Sequence, residues 1–235
     1  MPTDVNPTLA PTEFLDHEDD AVRALVTRVA PPGGTPADRA AALYLAVRDG
    51  VRYEVYGADL SRAGLAASAV LRRGAGMCLH KSVLYAAALR AAGIPSRLVL
   101  TDVRNHLASD RLRALVGGDV FRYHCLVSVH LGGRWLKATP VFNRMLCRLY
   151  RMDPLDFDGT ADSIYHPFDR DGRRHMEFLR FRGEFDDLPY DEVVAGLRAA
   201  HPGMFTGPDT VVAGSLVTDA ARISPSPPSS IGARP

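Results

Sequence analysis

The chain of 235 residues is 46% hydrophobic and 23% charged, and its 28 basic and 27 acidic side chains leave a formal net charge of +1. This composition is typical of a globular protein with a sizeable core, and it argues against a nucleic-acid partner, which requires a concentrated basic field. No apolar run is long enough to span a bilayer, and the first residues do not form a signal segment. We therefore expect a cytoplasmic protein with no membrane partner.

The cysteine content predicts reduced thiols. The three cysteines, Cys78, Cys125 and Cys147, are too few and too irregularly spaced for a disulfide framework or a zinc motif. Their odd number leaves at least one thiol free.

The N-terminal part predicts an arm followed by two helices. Residues 1–12 are rich in Pro, Thr and Asn, which predicts a flexible arm that Phe14 and Leu15 anchor. Apolar residues spaced by three and four predict a helix over residues 16–30. A second helix begins with Thr35 as N-cap and Pro36 at the first helical position, and we expect it to end near Gly50.

The middle of the chain is organised around one apolar helix. A short strand over residues 51–56 and a brief helix over residues 68–73 lead into a glycine-rich loop. The next helix starts at Cys78 and is closed by Gly93 and Pro95. Because it lacks a polar stripe, we expect it to be buried at the centre of the fold.

The remaining elements form a sheet and a C-terminal helix. Residues 97–103 predict a strand and residues 110–116 a short helix, and two strands over residues 120–131 and 134–139 form a hairpin around a Gly-Gly turn. Further on we expect a strand over residues 178–181 and a helix over residues 190–200. The segment from Thr218 is Ser/Pro-rich, which predicts that residues 218–235 form a dispensable disordered tail. Residues 13–217 then form one domain.

Cys78 is the first candidate for chemistry. A loop with two glycines precedes it, and it lies in the first turn of a predicted helix. Free backbone N–H groups and the helix dipole favour a thiolate there. We therefore expect a lowered pKa and a nucleophilic role. The alternative is an ordinary buried cysteine in an apolar segment.

His124 is the histidine best placed to serve as the base. It lies in the middle of a predicted strand. His17 and His201, in contrast, lie in segments with a composition typical of the surface, and His80 points away from Cys78 on the same helix. The alternative for His124 is a core histidine satisfied by a neighbour.

The hairpin register places two residues beside His124. If Gly132 and Gly133 form the turn, opposed residues sum to 265, so His124 faces Val141 with Thr139 and Asn143 as its diagonal neighbours. Asn143 is the preferred group to orient the imidazole, because an amide oxygen is a better acceptor than the Thr139 hydroxyl. Asp102 and Asp119 are the next candidates.

These residues resemble a known family, the transglutaminase-like superfamily. The resemblance covers residues 51–143 and is carried by Gly76, Met77 and Cys78, by residues 89–97, and by the segment from His124 through Trp135 to Pro140. It aligns Cys78 and His124 with the nucleophile and base of that family. Thr139 stands where the family usually has an aspartate before proline, and Met77 replaces a frequent aspartate before the cysteine.

The resemblance implies an α+β, papain-like fold in which the Cys-bearing helix packs on an antiparallel β-sheet. It also implies acyl transfer or amide hydrolysis through an acyl-enzyme on Cys78, with a small-molecule, peptide or carrier-bound acyl substrate. Because the family includes inactive members and the acid is missing here, a binding scaffold without catalysis is the alternative.

A metal-dependent reaction is the third hypothesis. His166, Asp169, His175 and Glu177 form histidine and carboxylate pairs, but their spacing matches no helix-borne ligand motif. Hydrogen-bonded loops are the preferred interpretation, so we predict no metal site and no cofactor.

Overall fold

The structure is a computed structural model that describes residues 6–106, 108–165 and 175–223. Helices alternate with strands along these segments. The helices are α1 (Asp20–Val29), α2 (Pro36–Gly50), α3 (Arg62–Leu65), α4 (Ala67–Arg73), α5 (Cys78–Ala91), α6 (Asp110–Val116), α7 (Arg144–Leu149), α8 (Tyr190–Ala200) and α9 (Leu216–Ile223), with a 3-10 turn at Pro202–Met204. The strands are β1 (Arg52–Tyr53), β2 (Ala75–Gly76), β3 (Ser96–Asn105), β4 (Val120–Leu131), β5 (Arg134–Ala138) and β6 (Met176–Phe185).

An antiparallel sheet with the order β5-β4-β3-β6 forms one layer of the fold. Helix α5 packs on β3 and β4, and β1 and β2 form a separate short parallel pair beside its start. The predicted α+β arrangement, with the Cys-bearing helix on an antiparallel sheet, is therefore confirmed. Within the described residues no helix combines the length and apolarity needed to cross a membrane.

Helix α5 is the centre of the core, as its lack of a polar stripe predicts. Every residue from Cys78 to Arg90 is buried, and α1, α2 and α4 cover the sides that the sheet leaves open. Its polar side chains are buried as well, since His80, Lys81, Ser82 and Arg90 are each at most 3% exposed. A buried polar group must find a hydrogen-bond partner, so these side chains tie α5 to its neighbours.

Local signals placed the early elements correctly. Thr35 caps α2 and forms a reciprocal capping box with Asp38, and Pro36 is the first helical residue. The hairpin has the predicted turn and register, since His130 pairs with Trp135 and both turn glycines have positive φ angles, 54° and 78°. Such angles are those of the tight turns that match strand twist.

The hairpin ends earlier than predicted, so His124 does not pair with Val141. The ladder stops at Ala138 because the Thr139 N–H donates to the Ser163 carbonyl, 2.9 Å away, instead of to β4. Pro140 has no N–H with which to resume pairing. The residues after Ala138 therefore leave the sheet.

The predicted tail boundary at Thr218 is wrong. Residues 218–223 belong to α9, whose Asp219 is 2% exposed and accepts hydrogen bonds from the Tyr56 hydroxyl at 2.7 Å and the Ser109 hydroxyl at 3.3 Å. Arg111 lies 3.4 Å from the same carboxylate. The buried side chains of Leu216, Asp219 and Ala220 attach α9 to the domain. Residues 224–235 lie outside the described residues.

The predicted N-terminal arm is packed over its described part. The Thr8 carbonyl accepts the Ser96 N–H at 3.0 Å, and the Ala10 carbonyl accepts from Arg90 at 2.5 Å. Phe14 and Leu15 are buried as expected, at 1% and 0% exposure. From residue 6 onward, the arm is thus held by hydrogen bonds as well as by these two anchors.

Truncation tests where the domain ends. Removing residues 218–235 deletes Asp219 and leaves Tyr56 and Ser109 without their acceptor, so we expect a loss of about 1–3 kcal/mol and a fall in Tm of roughly 3–8 °C. Removing only residues 224–235 is the matched control, for which we expect an unchanged Tm. Equal melting temperatures for the two truncations, measured by calorimetry, would show that α9 adds nothing to stability.

Candidate active site

Cys78 and His124 line one cleft at the start of α5. Their side chains are largely buried, with residue exposures of 5% and 7%, and the cleft has a cavity volume of about 60 Å³. The two residues come from different layers, since Cys78 begins α5 and His124 lies in β4. The structure therefore brings together the nucleophile and base that the sequence suggested.

A hydrogen bond between helix and sheet sets the spacing of these two residues. Ser82 lies one helical turn after Cys78, and its hydroxyl donates to the carbonyl oxygen of Cys125 at 2.9 Å. Cys125 directly follows His124 in β4. Because Ser82 is fully buried, this contact holds the start of α5 in register with the strand that carries the base.

The Cys78 thiol is not acidified in the way its helix position predicts. Burial raises its pKa to about 11, although the backbone N–H groups of Cys125, Leu79 and Cys78 itself face the sulfur and act in the opposite direction. The expectation of a resting thiolate is thus wrong. The free-energy cost of removing a thiolate from water exceeds the stabilisation that the three N–H groups and the helix dipole provide.

His124 is a neutral imidazole in the resting protein. Burial lowers its pKa to about 4, because charging the ring in an apolar cleft is unfavourable. Among the described residues it has no hydrogen-bond partner, and no hydrogen bond joins it to Cys78. Catalytic contacts are often long in an unliganded protein and tighten when substrate binds.

The two predicted orienting residues lie in different surroundings. Thr139 lines a smaller cavity that it shares with His124, and its hydroxyl donates to the Ile164 carbonyl at 3.0 Å. Asn143 directs its amide oxygen to the backbone N–H of Tyr53, 3.1 Å away. Thr139 thus shares a cavity with His124, while Asn143 ties β1 to the start of α7.

Asp102, a further candidate for orienting His124, forms ion pairs with two arginines. It is fully buried in β3, with Arg182 at 2.6 Å and Arg122 at 2.7 Å. Burial alone would raise the pKa of this carboxyl group, but the hydrogen bonds from Arg182 and Arg122 hold it below the usual range. Asp119 forms a surface ion pair with Arg104 at 3.6 Å.

Hydrogen-bond donors are available around the Cys78 sulfur. The first hydrogen bond inside α5 runs from the Lys81 N–H to the Met77 carbonyl, so the preceding N–H groups have no partner within the helix. Tyr53 also lines the cleft, and burial together with the nearby Cys78 raises its pKa well above the usual range. Tyr56 instead donates to Asp219.

Sequence reasoning did not place Asn105, His175 or His201 in the cleft. His201 was assigned to surface-like text, but it is 3% exposed. Its Nδ1–H donates to the Val116 carbonyl at 2.8 Å, and its Nε2 accepts the backbone N–H of Arg122 at 3.0 Å. No local pattern could reveal this, because the contact spans 79 residues of sequence.

The walls of the cleft are mainly apolar. Several elements contribute, including parts of the chain far from the cysteine: Val55, Val103, Leu112, Phe121, Phe142, Leu197, Met204 and Leu216. The last three belong to α8, the 3-10 turn and α9. The C-terminal segment that the sequence left without a role therefore closes one side of the cleft.

The residues considered for a metal do not form a cluster where they are described. Glu177 pairs with Arg104 at 3.2 Å and lies 3.4 Å from His106, whereas His175 faces the cleft. Within residues 6–106, 108–165 and 175–223, no three His, Cys, Asp or Glu side chains are arranged to hold a metal ion. His166 and Asp169 lie outside the described residues.

Comparisons with known proteins bear on the same region. The family profile named Transglutaminase-like superfamily matches residues 23–140, a span that includes Cys78, His124 and Thr139. No curated protein gives a match. Among solved structures, the chain is similar to one described as a "Putative Cysteine Protease from Cytophaga hutchinsonii", with 16% identity and a TM-score of 0.44. The match covers 76% of this chain and spans 64% of that one. The resemblance seen in the sequence is confirmed by the family match.

Alkylation with iodoacetamide tests the state of the free thiol. With a pKa of about 11, fewer than about one Cys78 in a thousand is a thiolate at pH 7.5. We therefore expect slow labelling at neutral pH that becomes half-maximal near pH 11, followed at Cys78 by peptide mass spectrometry. His124→Ala should leave this midpoint unchanged in the free protein. A midpoint below about pH 8 that depends on His124 would instead establish a resting ion pair.

Proposed function

The chain belongs to the transglutaminase-like superfamily, and on this premise we propose that it is a cysteine enzyme that transfers or hydrolyses acyl groups through a thioester on Cys78. His124 acts as the general base and acid. The observation that carries the proposal is that one apolar cleft contains both side chains, with the Ser82 contact to Cys125 holding their supporting elements together.

The first step begins with a neutral pair. As Sγ of Cys78 attacks the carbonyl carbon of an amide, ester or thioester, the imidazole of His124 takes the thiol proton. The tetrahedral intermediate then collapses, the bond to the leaving group breaks, and His124 returns the proton to that group. The product of this step is the Cys78 thioester and a free amine, alcohol or thiol.

The second step reverses these roles. Water or an amine attacks the thioester carbonyl while His124 takes its proton, and collapse breaks the bond between carbon and Sγ. The proton returns to the sulfur, and the acid or amide leaves. Because neither group carries charge at rest, substrate binding must bring the imidazole to the thiol before the proton can move.

The developing oxyanion has donors at the start of α5. The N–H groups of Cys78 and Leu79 already face the sulfur, so they are near the carbonyl oxygen of a bound substrate. The Tyr53 hydroxyl is the proposed side-chain donor, in preference to that of Tyr56. Its raised pKa keeps it protonated throughout the neutral range.

Thr139 is the proposed orienting residue for His124, in preference to Asn143. Its hydroxyl hydrogen is used by the Ile164 carbonyl, but the oxygen lone pairs remain available to accept an imidazole N–H. Thr139 also shares a cavity with His124, whereas the Asn143 amide oxygen is engaged by Tyr53. A hydroxyl acceptor suffices because the paired groups are neutral in the resting protein.

The cleft lining favours a substrate with an apolar acyl part. Leu112, Phe121, Leu197 and Leu216 offer no partner for a polar chain, and burying each methylene group of a ligand contributes about 0.8 kcal/mol. Small-molecule, peptide and carrier-bound donors share this requirement. We therefore expect the acyl group of the donor to lie against these apolar walls.

Trapping of the acyl-enzyme tests the proposal. Incubation with p-nitrophenyl esters should add one acyl group to Cys78, seen by mass spectrometry, and Cys78→Ala should abolish both the adduct and turnover. Rates should rise from acetyl to hexanoyl esters, by roughly fourfold per methylene at about 0.8 kcal/mol each.

Cys147→Ser is the matched control, because Cys147 is also a buried thiol but belongs to α7 and does not line the cleft with Cys78. Serine nearly keeps its volume and can still donate to the Phe142 carbonyl. We expect this variant to keep full activity. If Cys78→Ala turned over every ester as fast as the unmodified protein, turnover would not pass through Cys78 and the proposal would be wrong. If the unmodified protein formed no adduct and turned over no ester, the result would favour the alternative of a binding scaffold.

Substitutions at Thr139 and Asn143 test the orienting role. Thr139→Val removes the hydroxyl at nearly constant volume, so kcat should fall by about tenfold, while Thr139→Ser should restore it. Asn143→Ala frees the Tyr53 N–H and should lower Tm more than kcat. The idea fails if kcat responds to Asn143→Ala and not to Thr139→Val, in steady-state assays with a hexanoyl ester.

A further inference from the structure

An extra residue interrupts β4 immediately before His124. Thr101 of β3 pairs with His124 and Val103 pairs with Phe121, so Asp102 alone faces both Arg122 and Tyr123. Two residues opposite one define a β-bulge, which bends a strand and redirects its side chains.

The bulge changes which side chains reach the cleft. Residues three apart in a regular strand point to opposite faces, yet Phe121 and His124 both line the cleft with Cys78. The extra residue between them makes this possible. Without it, the register of β4 would place either the base or Phe121 on the other face of the sheet.

Both backbone N–H groups of the bulge have side-chain acceptors. The Tyr123 N–H donates to Oδ1 of Asp102 at 3.2 Å, and the Arg122 N–H donates to Nε2 of His201 at 3.0 Å. His201 can accept only as a neutral ring, whose Nδ1–H donates to Val116. Burial lowers the pKa of His201 and so keeps the ring neutral. The charge of Arg122 also lowers this pKa, whereas the charge of Asp102 raises it.

The Tyr123 backbone is strained and is held in place by its ring. Its φ angle of 56° is left-handed, a conformation that costs a residue with a side chain about 1–2 kcal/mol. Arg182 stacks on the ring, 3.9 Å from its centre, and an added Cβ on Gly196 of α8 would lie 2.2 Å from a ring carbon. The glycine leaves the space that the ring fills.

We infer that Asp102 and His201 are positioning residues for the base. They hold the bulge at Arg122 and Tyr123 in the one shape that turns His124 into the cleft beside Cys78. His201 lies beyond residues 23–140, the part of the chain that matches the family profile. The inference rests on the proposed function for its kinetic consequence but not for its structural one.

The experiment compares His201→Leu with His201→Gln in the full chain. Glutamine keeps an oxygen that accepts the Arg122 N–H and an amide that donates to Val116, whereas leucine keeps neither. We expect His201→Leu to lower kcat for a hexanoyl ester by roughly 10–100-fold with little change in KM, and His201→Gln to restore most of it. Asp102→Ala should behave like His201→Leu.

The titration of His124, followed by NMR of the labelled imidazole, is the second readout. We expect a pKa of about 4 in the unmodified protein and a value nearer 6.5 in His201→Leu, because a released ring moves towards water. The charged or titratable groups that share the cleft with His124 are Tyr53, Cys78, Arg122, Tyr150, His175 and His201. His201→Gln should titrate like the unmodified protein.

Tyr85→Phe is the control for a general loss of stability. It removes a buried hydrogen bond from α5 to the Ala40 carbonyl, 3.1 Å long, without touching the cleft, and should lower Tm while leaving the His124 titration unchanged. An unchanged His124 pKa in both His201→Leu and Asp102→Ala would overturn the inference. If the unmodified protein turned over no ester, the proposed function would fail, and the NMR titration would still decide whether these residues position His124.

Discussion

The burial of α5 on all sides is the constraint on which the rest of the structure depends. A helix with no solvent-facing stripe must satisfy each of its polar side chains inside the protein, and it does so with backbone carbonyls of its neighbours. Lys81 donates to the C-terminal end of α2 and to the residue before β1, and Ser82 donates to β4. Arg90 donates to the N-terminal arm, to the first residue of β3 and to the residue after β6. His80 bonds to the Asp59 carbonyl. The core therefore fixes where Cys78 lies relative to the elements around α5.

The same burial decides the electrostatics of the site. A cysteine at a helix N-terminus is expected to ionise easily, but the environment that makes α5 a stable centre also excludes the water that a thiolate needs. The result is a neutral thiol beside a neutral histidine, which is a different starting point from the ion pair of a papain-like site. Reactivity then depends on geometry and on the moment of substrate binding more than on resting charge.

The sequence predicted those features that local rules control. Thr35 and Pro36 begin α2 because capping acts within one turn, and the Gly132-Gly133 turn set the hairpin register because a two-residue loop permits little else. Cys78 and His124 were found by pattern and family resemblance. The role of His201 and the burial of Asp219 could not be predicted, since their partners lie 79 and 163 residues away. The bulge is of the same kind: its cause is a set of distant contacts and not a turn signal.

The placement of α8 and α9 has a consequence for biosynthesis. A nascent chain that has emerged only as far as β6 already contains Cys78 and His124, but it lacks Leu197, Met204 and Leu216 of the cleft wall and the ring of His201 under the bulge. Since domains are made from the N-terminus at about 5–20 residues per second, Cys78 and His124 exist for a short time without their finished surroundings. The cleft is thus completed only when the last part of the domain has folded.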